Sequence, residues 1–144
     1  NASQISDGGA AVIVASPDTA GEVLARIVDY NTQGVDPKEI FTAPGKGIAS
    51  LLERNNLTVA DIDLFEINEA FAVQVLQNLT YLGLDQTKVN VCGGGIALGH
   101  PIGGSGARVL VTLIHQMRRL DVKRGVVSLC LGGGNAVSML LERD

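Results

Sequence analysis

SGARVLVTLIHQMRRLDVKRGVVSLCLGGGNAVSMLL, Ser105 to Leu141, decides the fold class in a single pass. It opens on an amphipathic helix whose stripe Leu110, Leu113, Ile114, Met117 and Leu120 is predicted to be buried, with Arg108, Thr112, His115 and Arg119 on the opposite side. Val126–Leu131 then runs apolar but for Ser128, as a strand covered on both faces does. Three glycines turn the chain into Ala136–Leu141, predicted to be its hairpin partner. A helix feeding a buried strand and then a hairpin predicts an α/β layered fold, with a mixed β-sheet covered by helices.

Upstream lies VNVCGGGIALGHPIGGSGAR, Val89 to Arg108, with seven glycines between Gly93 and Gly106 around one histidine, His100. Glycine costs backbone entropy on folding, so such a density calls for close backbone approach or positive φ. Further upstream, Ile62–Ile67 reads as a strand closed by Asn68. A helix follows with Ala72, Val75, Leu76, Leu79 and Leu82 on one face, stopped by Gly83. Ile48, Leu51 and Leu52 begin another helical stripe that ends near Asn55 and Asn56, and Thr58 with Asp61 forms a capping-box variant. Gly34–Gly47, with Pro37 and Pro44, reads as loop. Val23–Asn31 and Gly9–Ala15 read as neighbouring strands in an antiparallel pair. There is no repeat, low-complexity tract or linker, so residues 1–144 form one domain.

Composition bounds the function. The 144 residues are 46% apolar and 18% charged, which suits a compact α/β protein. A net charge of −4 leaves no footprint for nucleic acid or for an anionic membrane. No segment approaches the length of a membrane-spanning helix, and the start lacks a signal pattern. Cys92 and Cys130 are both expected to stay reduced, which with the missing signal points to the cytoplasm, or else to an organelle. The opening Asn1-Ala2-Ser3, without methionine, suggests a piece of something longer.

Several residues have two readings. His100 precedes a helix start, whose positive potential favours the neutral imidazole; the bland alternative is a loop histidine satisfied by backbone. Cys130 ends a buried strand and is either a small buried hydrophobe or a thiol made more acidic by adjacent N–H groups. Cys92 reads as structural, and His115 as a polar-face histidine. Asn68 is a helix N-cap or a polar group at a strand end, where α/β folds place their sites. Glu69 suits a first helical turn. The glycine loops lack the spacing of a dinucleotide or phosphate cradle, and no metal ligand set stands out.

Four segments together resemble the C-terminal half of a thiolase, the acetyl-CoA acetyltransferase family. They are Asn1-Ala2-Ser3 with Asp7-Gly8, Asn68-Glu69-Ala70-Phe71-Ala72, Gly99-His100-Pro101-Ile102-Gly103-Gly104-Ser105-Gly106, and Cys130-Leu131-Gly132-Gly133-Gly134. They stand in family order across nearly the whole chain. The resemblance implies one half of a duplicated fold that catalyses Claisen condensation, or thiolysis of 3-ketoacyl-CoA, in fatty acid metabolism. CoA thioesters are the substrates and no further cofactor is implied. By motif match, His100 activates a nucleophilic cysteine and points toward the thioester oxygen, and Asn68 holds a water in the same oxyanion hole. Cys130 is the general acid/base at the α-carbon, and the Gly132 N–H helps hold the second oxyanion. Ser3, Ala70 and Phe71 fall where the family touches CoA. The nucleophilic cysteine belongs to the family's N-terminal half, so a missing half and a homo-oligomer, dimer or tetramer, are the implied partners. Ketoacyl synthases share the fold, but the Cys-x-Gly-Gly-Gly segment speaks against them. The rival from another class is a non-catalytic binding or assembly module on the same scaffold.

Overall fold

The computed structural model describes residues 1–19 and 21–144. Four strands form one sheet in the order β1-β4-β3-β2: β1 Arg26–Gly34, β2 Leu64–Ile67, β3 Arg124–Leu131 and β4 Asn135–Glu142. The β1–β4 and β4–β3 pairs are antiparallel and β3–β2 is parallel, so the sheet is mixed, as expected. Four helices accompany it: α1 Ala43–Arg54, α2 Ala72–Leu82, the single turn α3 Gly95–Leu98, and α4 Ser105–Leu120.

Alternation along the central strands builds two cores. Phe65, Ile67, Val126 and Leu140 pack with Ile48, Leu51 and Leu52 of α1 and Val75 of α2. Leu64, Val127, Leu129 and Leu141 pack on the other face against Val109, Leu113 and Met117 of α4. Leu64 therefore has the parity of Glu66 and Asn68, and that parity turns both polar residues toward α4. The sheet is covered on both faces, which is why Gly125–Leu129 is buried without alternation, the one polar side chain, Ser128, meeting the Ser138 hydroxyl at 2.9 Å.

The capping box is present: Asp61 accepts from both the Thr58 N–H, at 2.7 Å, and the Thr58 hydroxyl, at 2.6 Å. Gly83 closes α2 in the left-handed region at φ 64°. Other expectations need correction. Gly9–Ala15 is not a strand: it is exposed, with Ile13 at 96%, and no strand among the described residues lies beside it. A strand needs a hydrogen-bonding neighbour as well as apolar side chains. The second predicted strand begins later, at Arg26, and pairs with β4 instead. Part of Gly34–Gly47 is helical rather than loop. Pro37–Thr42 forms a 3₁₀ turn, and α1 starts at Ala43 with Pro44 in its first positions, where a missing N–H costs nothing.

Both predicted stripes are largely present, since Val75, Leu79 and Leu82 on α2 and Leu110, Leu113, Ile114 and Met117 on α4 pack on the cores, but each is rotated. On α2 the buried residues are Gln74, Val75 and Asn78, whereas Leu76 is exposed. Asn78 explains the turn, since its Oδ1 accepts from the Gly45 N–H at 2.6 Å and its Nδ2 donates to the Phe41 carbonyl at 2.9 Å. On α4 the buried row is Ser105, Val109, Leu113 and Met117, and Leu120 is exposed. That rotation carries Arg108 inward, off the solvent face assigned to it.

Candidate active site

The parallel strands β2 and β3 end side by side. The Asn68 N–H donates to the Ser128 carbonyl at 2.9 Å, so Asn68 and Cys130, two residues past Ser128, leave the same end of the sheet. Asn68 is not a helix cap, because α2 does not begin until Ala72 and its N-cap position is Phe71. Asn68 is instead 1% exposed and its side chain is fully engaged. Nδ2 lies 3.2 Å from Nε2 of His100, and Oδ1 accepts from Nη2 of Arg108 at 3.3 Å.

His100 is held at both ring nitrogens. Its Nδ1 lies 2.5 Å from Oγ of Ser105, the first residue of α4, and that hydroxyl donates to the Pro101 carbonyl at 3.0 Å. The His100 N–H donates to the Gln4 carbonyl at 3.1 Å, which ties the N-terminal segment to the glycine loop. Burial first, and the Arg108 charge second, hold the imidazole below its ordinary pKa. The neutral form expected for this histidine is therefore favoured, by burial and a neighbouring cation.

Glu69 was read as a first-turn residue and is not one. Its Oε1 accepts from Nδ2 of Asn90 at 3.0 Å and its Oε2 from the Ile96 N–H at 3.1 Å, so it clamps the glycine loop to the end of β2. A Cβ on Gly94 would lie 2.5 Å from Cδ of Glu69, so glycine is required for that approach. Behind Asn68, Glu66 is 2% exposed, with a carboxylate oxygen 3.8 Å from Nη1 of Arg108. Burial pushes the Glu66 carboxyl up to about 7; Arg108 opposes the rise and Glu69 adds to it. Sequence reading missed Glu66, Glu69, Ser105 and Arg108 as site residues. The Glu66–Asn68 parity on one strand was the signal for the first.

Cys130 is set apart. It is partly buried, and among the described residues no hydrogen bond joins it to His100 or Asn68. Burial raises its thiol pKa, against a smaller lowering by a backbone hydrogen bond, so the more acidic thiol expected here is not what the chain alone provides. Gly132 lies exposed in the β3–β4 turn. That turn is anchored by Gly134 at φ 89°, whose missing Cβ would sit 2.6 Å from the Val35 carbonyl oxygen. Cys92 is exposed rather than structurally buried, 3.8 Å from Nη2 of Arg119.

The residues assigned to CoA come together. The Ser3 N–H and Oγ both reach the Ala70 carbonyl, at 3.1 and 3.2 Å, and Ala2 pairs with Phe71. Phe71 is 43% exposed, with its ring centroid 5.3 Å from that of Phe41. An open cleft of about 180 Å³ is lined by Asp7, Gly8, Leu98, Gly99, Pro101 and Arg108 among others, and by none of Ser3, Ala70 and Phe71. No helix among the described residues is long and apolar enough to cross a membrane.

Comparison with known proteins places this geometry. Residues 21–143 match the family described as thiolase, C-terminal domain. An acetyl-CoA acetyltransferase of Cupriavidus necator is 50% identical over 99% of this chain and 37% of its own length. A probable acetyl-CoA acetyltransferase of Escherichia coli is 47% identical over 100% of this chain and 38% of its own. The chain thus spans little more than a third of these relatives. Among solved structures, a Bacillus anthracis acetyl-CoA acetyltransferase superposes with a TM-score of 0.82 at 49% identity, covering 84% of this chain and 31% of that one. A human mitochondrial 3-ketoacyl-CoA thiolase in complex with CoA gives 0.82 at 45% identity, with the same coverage.

Proposed function

The chain belongs to the thiolase family, through its C-terminal domain, and from that premise we propose that residues 1–144 act as one domain, the acid/base and oxyanion half of an acyl-CoA:acetyl-CoA C-acyltransferase. The observation that carries this reading is the placement of Asn68, bonded to His100, and of Cys130 at the ends of two adjacent parallel strands. A cysteine supplied by the remaining length of the protein is the nucleophile. His100 takes its proton, the thiolate attacks the thioester carbonyl, and CoA leaves as its thiol with the proton of Cys130, which becomes the thiolate. His100, keeping that proton on Nε2, and an Asn68-held water donate to the oxyanion in the enolate-forming step. Cys130, as thiolate, removes the α-proton of the second acyl-CoA; the carbanion attacks the acyl-enzyme, the carbon–carbon bond forms, and the nucleophile's sulfur leaves. The Gly132 N–H holds the tetrahedral oxyanion. Run backward, Cys130 as a thiol protonates the carbanion, and its raised pKa suits that acid role.

CoA thioesters are the substrates, and no separate cofactor has a role. Ser3, Ala70 and Phe71 line the path of the pantetheine arm, supported by their mutual contacts and the open Phe71 face. The exposed apolar side chains Ile5, Ile13, Val14 and Val23 suit burial against the N-terminal half, and the assembled protein is a homo-oligomer.

Cys130→Ser in the full-length protein tests the assignment. Serine has nearly the same size but a far higher pKa, so condensation should fall by about 10²–10⁴-fold while acylation of the nucleophile survives. A trapped acyl-enzyme with no condensation is the expected result. Condensation of two acetyl units at the normal rate would overturn it.

A further inference from the structure

Glu66 and Arg108, a buried carboxyl and a mostly buried guanidinium, stand behind the Asn68–His100 pair with no part in the steps above. Glu66 is two residues before Asn68 on the same face of β2, and Arg108 is three residues into α4 from Ser105. The Arg108 side chain is only 19% exposed, and it reaches both strand residues, Glu66 at 3.8 Å and Asn68 at 3.3 Å. The first turns of α4 therefore grip the histidine pair from both sides: Ser105 at Nδ1 of the imidazole, Arg108 at the amide.

We propose that Arg108, steadied by Glu66, is a positioning residue that fixes which end of the Asn68 amide faces His100, and thereby fixes the imidazole as its Nδ1–H tautomer with a lone pair on Nε2. A guanidinium can only donate. The amide end it meets must accept, so Oδ1 faces Arg108 and Nδ2 is left to face His100. Nδ2 can only donate, so Nε2 must accept. A flipped amide would set N–H against N–H on a side chain 1% exposed, leaving a buried donor unpaired.

The opposite end of the series is compatible with that tautomer but does not select it. The Pro101 carbonyl already accepts the Gly104 and Ser105 N–H groups at 2.8 Å, so the Ser105 hydroxyl can turn to it and accept from Nδ1–H, or turn to the ring and donate. Arg108, the donor-only end, gives the series its direction: Arg108, Asn68, His100, with Ser105 following. Nε2 is the nitrogen that a thiol proton would have to reach, and its one lone pair must release the Asn68 N–H to take that proton. The inference rests on the reading of His100 as the base, but the tautomer itself is open to measurement without substrate.

The test uses full-length protein labelled with ¹⁵N-histidine, with the His100 ring signals identified by their loss in His100→Gln. The unsubstituted protein should show a protonated Nδ1 and an unprotonated Nε2 in the neutral form. Arg108→Met should bring up the Nε2–H tautomer and slow acylation of the nucleophile by about 10- to 100-fold, the cost of misplacing a reacting group, with KM nearly unchanged. Arg108→Lys, which keeps a donor, should recover part of that rate. In an Asn68→Ala background, adding Arg108→Met should cost about twofold or less, because its route through the amide is already gone and only the direct effect of its charge on the imidazole remains. An Nε2–H tautomer in the unsubstituted protein, a tautomer unmoved by Arg108→Met, or an undiminished Arg108 effect without Asn68 would each overturn the proposal. If the tautomer behaves as stated while the protein forms no acyl-enzyme, the positioning role is upheld and the functional reading alone fails.

Discussion

The two glycine loops end in the residues with the most chemistry, yet they are built differently. The loop through His100 is wired by side chains: Glu69 clamps it, Asn68 and Ser105 hold both ring nitrogens, and Arg108 stands behind. The turn after Cys130 is shaped by backbone alone, through positive-φ glycines and a close approach to Val35 and Pro37. The difference teaches where each group gets its reactivity. The histidine's protonation is set inside this chain, whereas the Cys130 thiol is left with a raised pKa and gets no help from a neighbouring side chain. One site half is preorganised, and the other waits for groups that this chain does not supply.

The sharpest way to break that contrast is to cut the wiring. In full-length protein, His100→Ala should cost about 10³ in turnover and Asn68→Ala about 10², since the proposed role of the histidine is both to activate the nucleophile and to face the oxyanion. Steady-state kinetics decide the ranking, and equal losses would mean that the pair acts as one unit. Because the imidazole pKa is depressed, the acid limb of kcat/KM should lie below the ordinary imidazole range, near 6.5 in solution.

A smaller effect concerns the buried carboxylate that backs the wired loop. With Glu66 raised to about 7, the folded state holds a proton that the unfolded chain has released between the ordinary value of 4.5 and that pH. Stability from this group is therefore present in full below 4.5 and is lost as pH rises toward 7, by on the order of 2–3 kcal/mol. His100, depressed, acts with the opposite sign, losing stability as pH falls below 6.5. Comparing urea denaturation of Glu66→Gln with the unsubstituted protein across that window isolates the Glu66 part: the variant should gain relative stability as pH rises. The least effect is expected at Cys92, exposed and remote from both loops' chemistry. Cys92→Ser should change stability by less than about 0.5 kcal/mol and leave turnover intact, as thermal melts and kinetics can show.

These regions also differ in how far they could be read from sequence. The β3–β4 hairpin, the α4 helix, the capping box at Thr58 and the stop at Gly83 follow from local rules that no partner overrides. Gly9–Ala15 shows the limit: an apolar run reports a need for burial, and says nothing of what covers it. The position of Pro44 was legible as a helix start and was read as loop. At the site, His100, Asn68 and Cys130 carry recognisable motifs, but their supports do not. Arg108 looks like an exposed cation until α4 turns the row Ser105–Val109–Leu113–Met117 to the core, and Glu69 looks like helix-dipole decoration until the loop comes back to meet it. Such roles exist only once distant segments are packed together.

The central claim, that this chain provides base and oxyanion groups but no nucleophile, is tested most directly by labelled acetyl-CoA. The isolated 144-residue chain should take up no acyl group and cleave no acetoacetyl-CoA, and both activities should appear on adding the N-terminal half. A stable thioester on Cys92 or Cys130 of the isolated chain, with turnover, would contradict the division of labour.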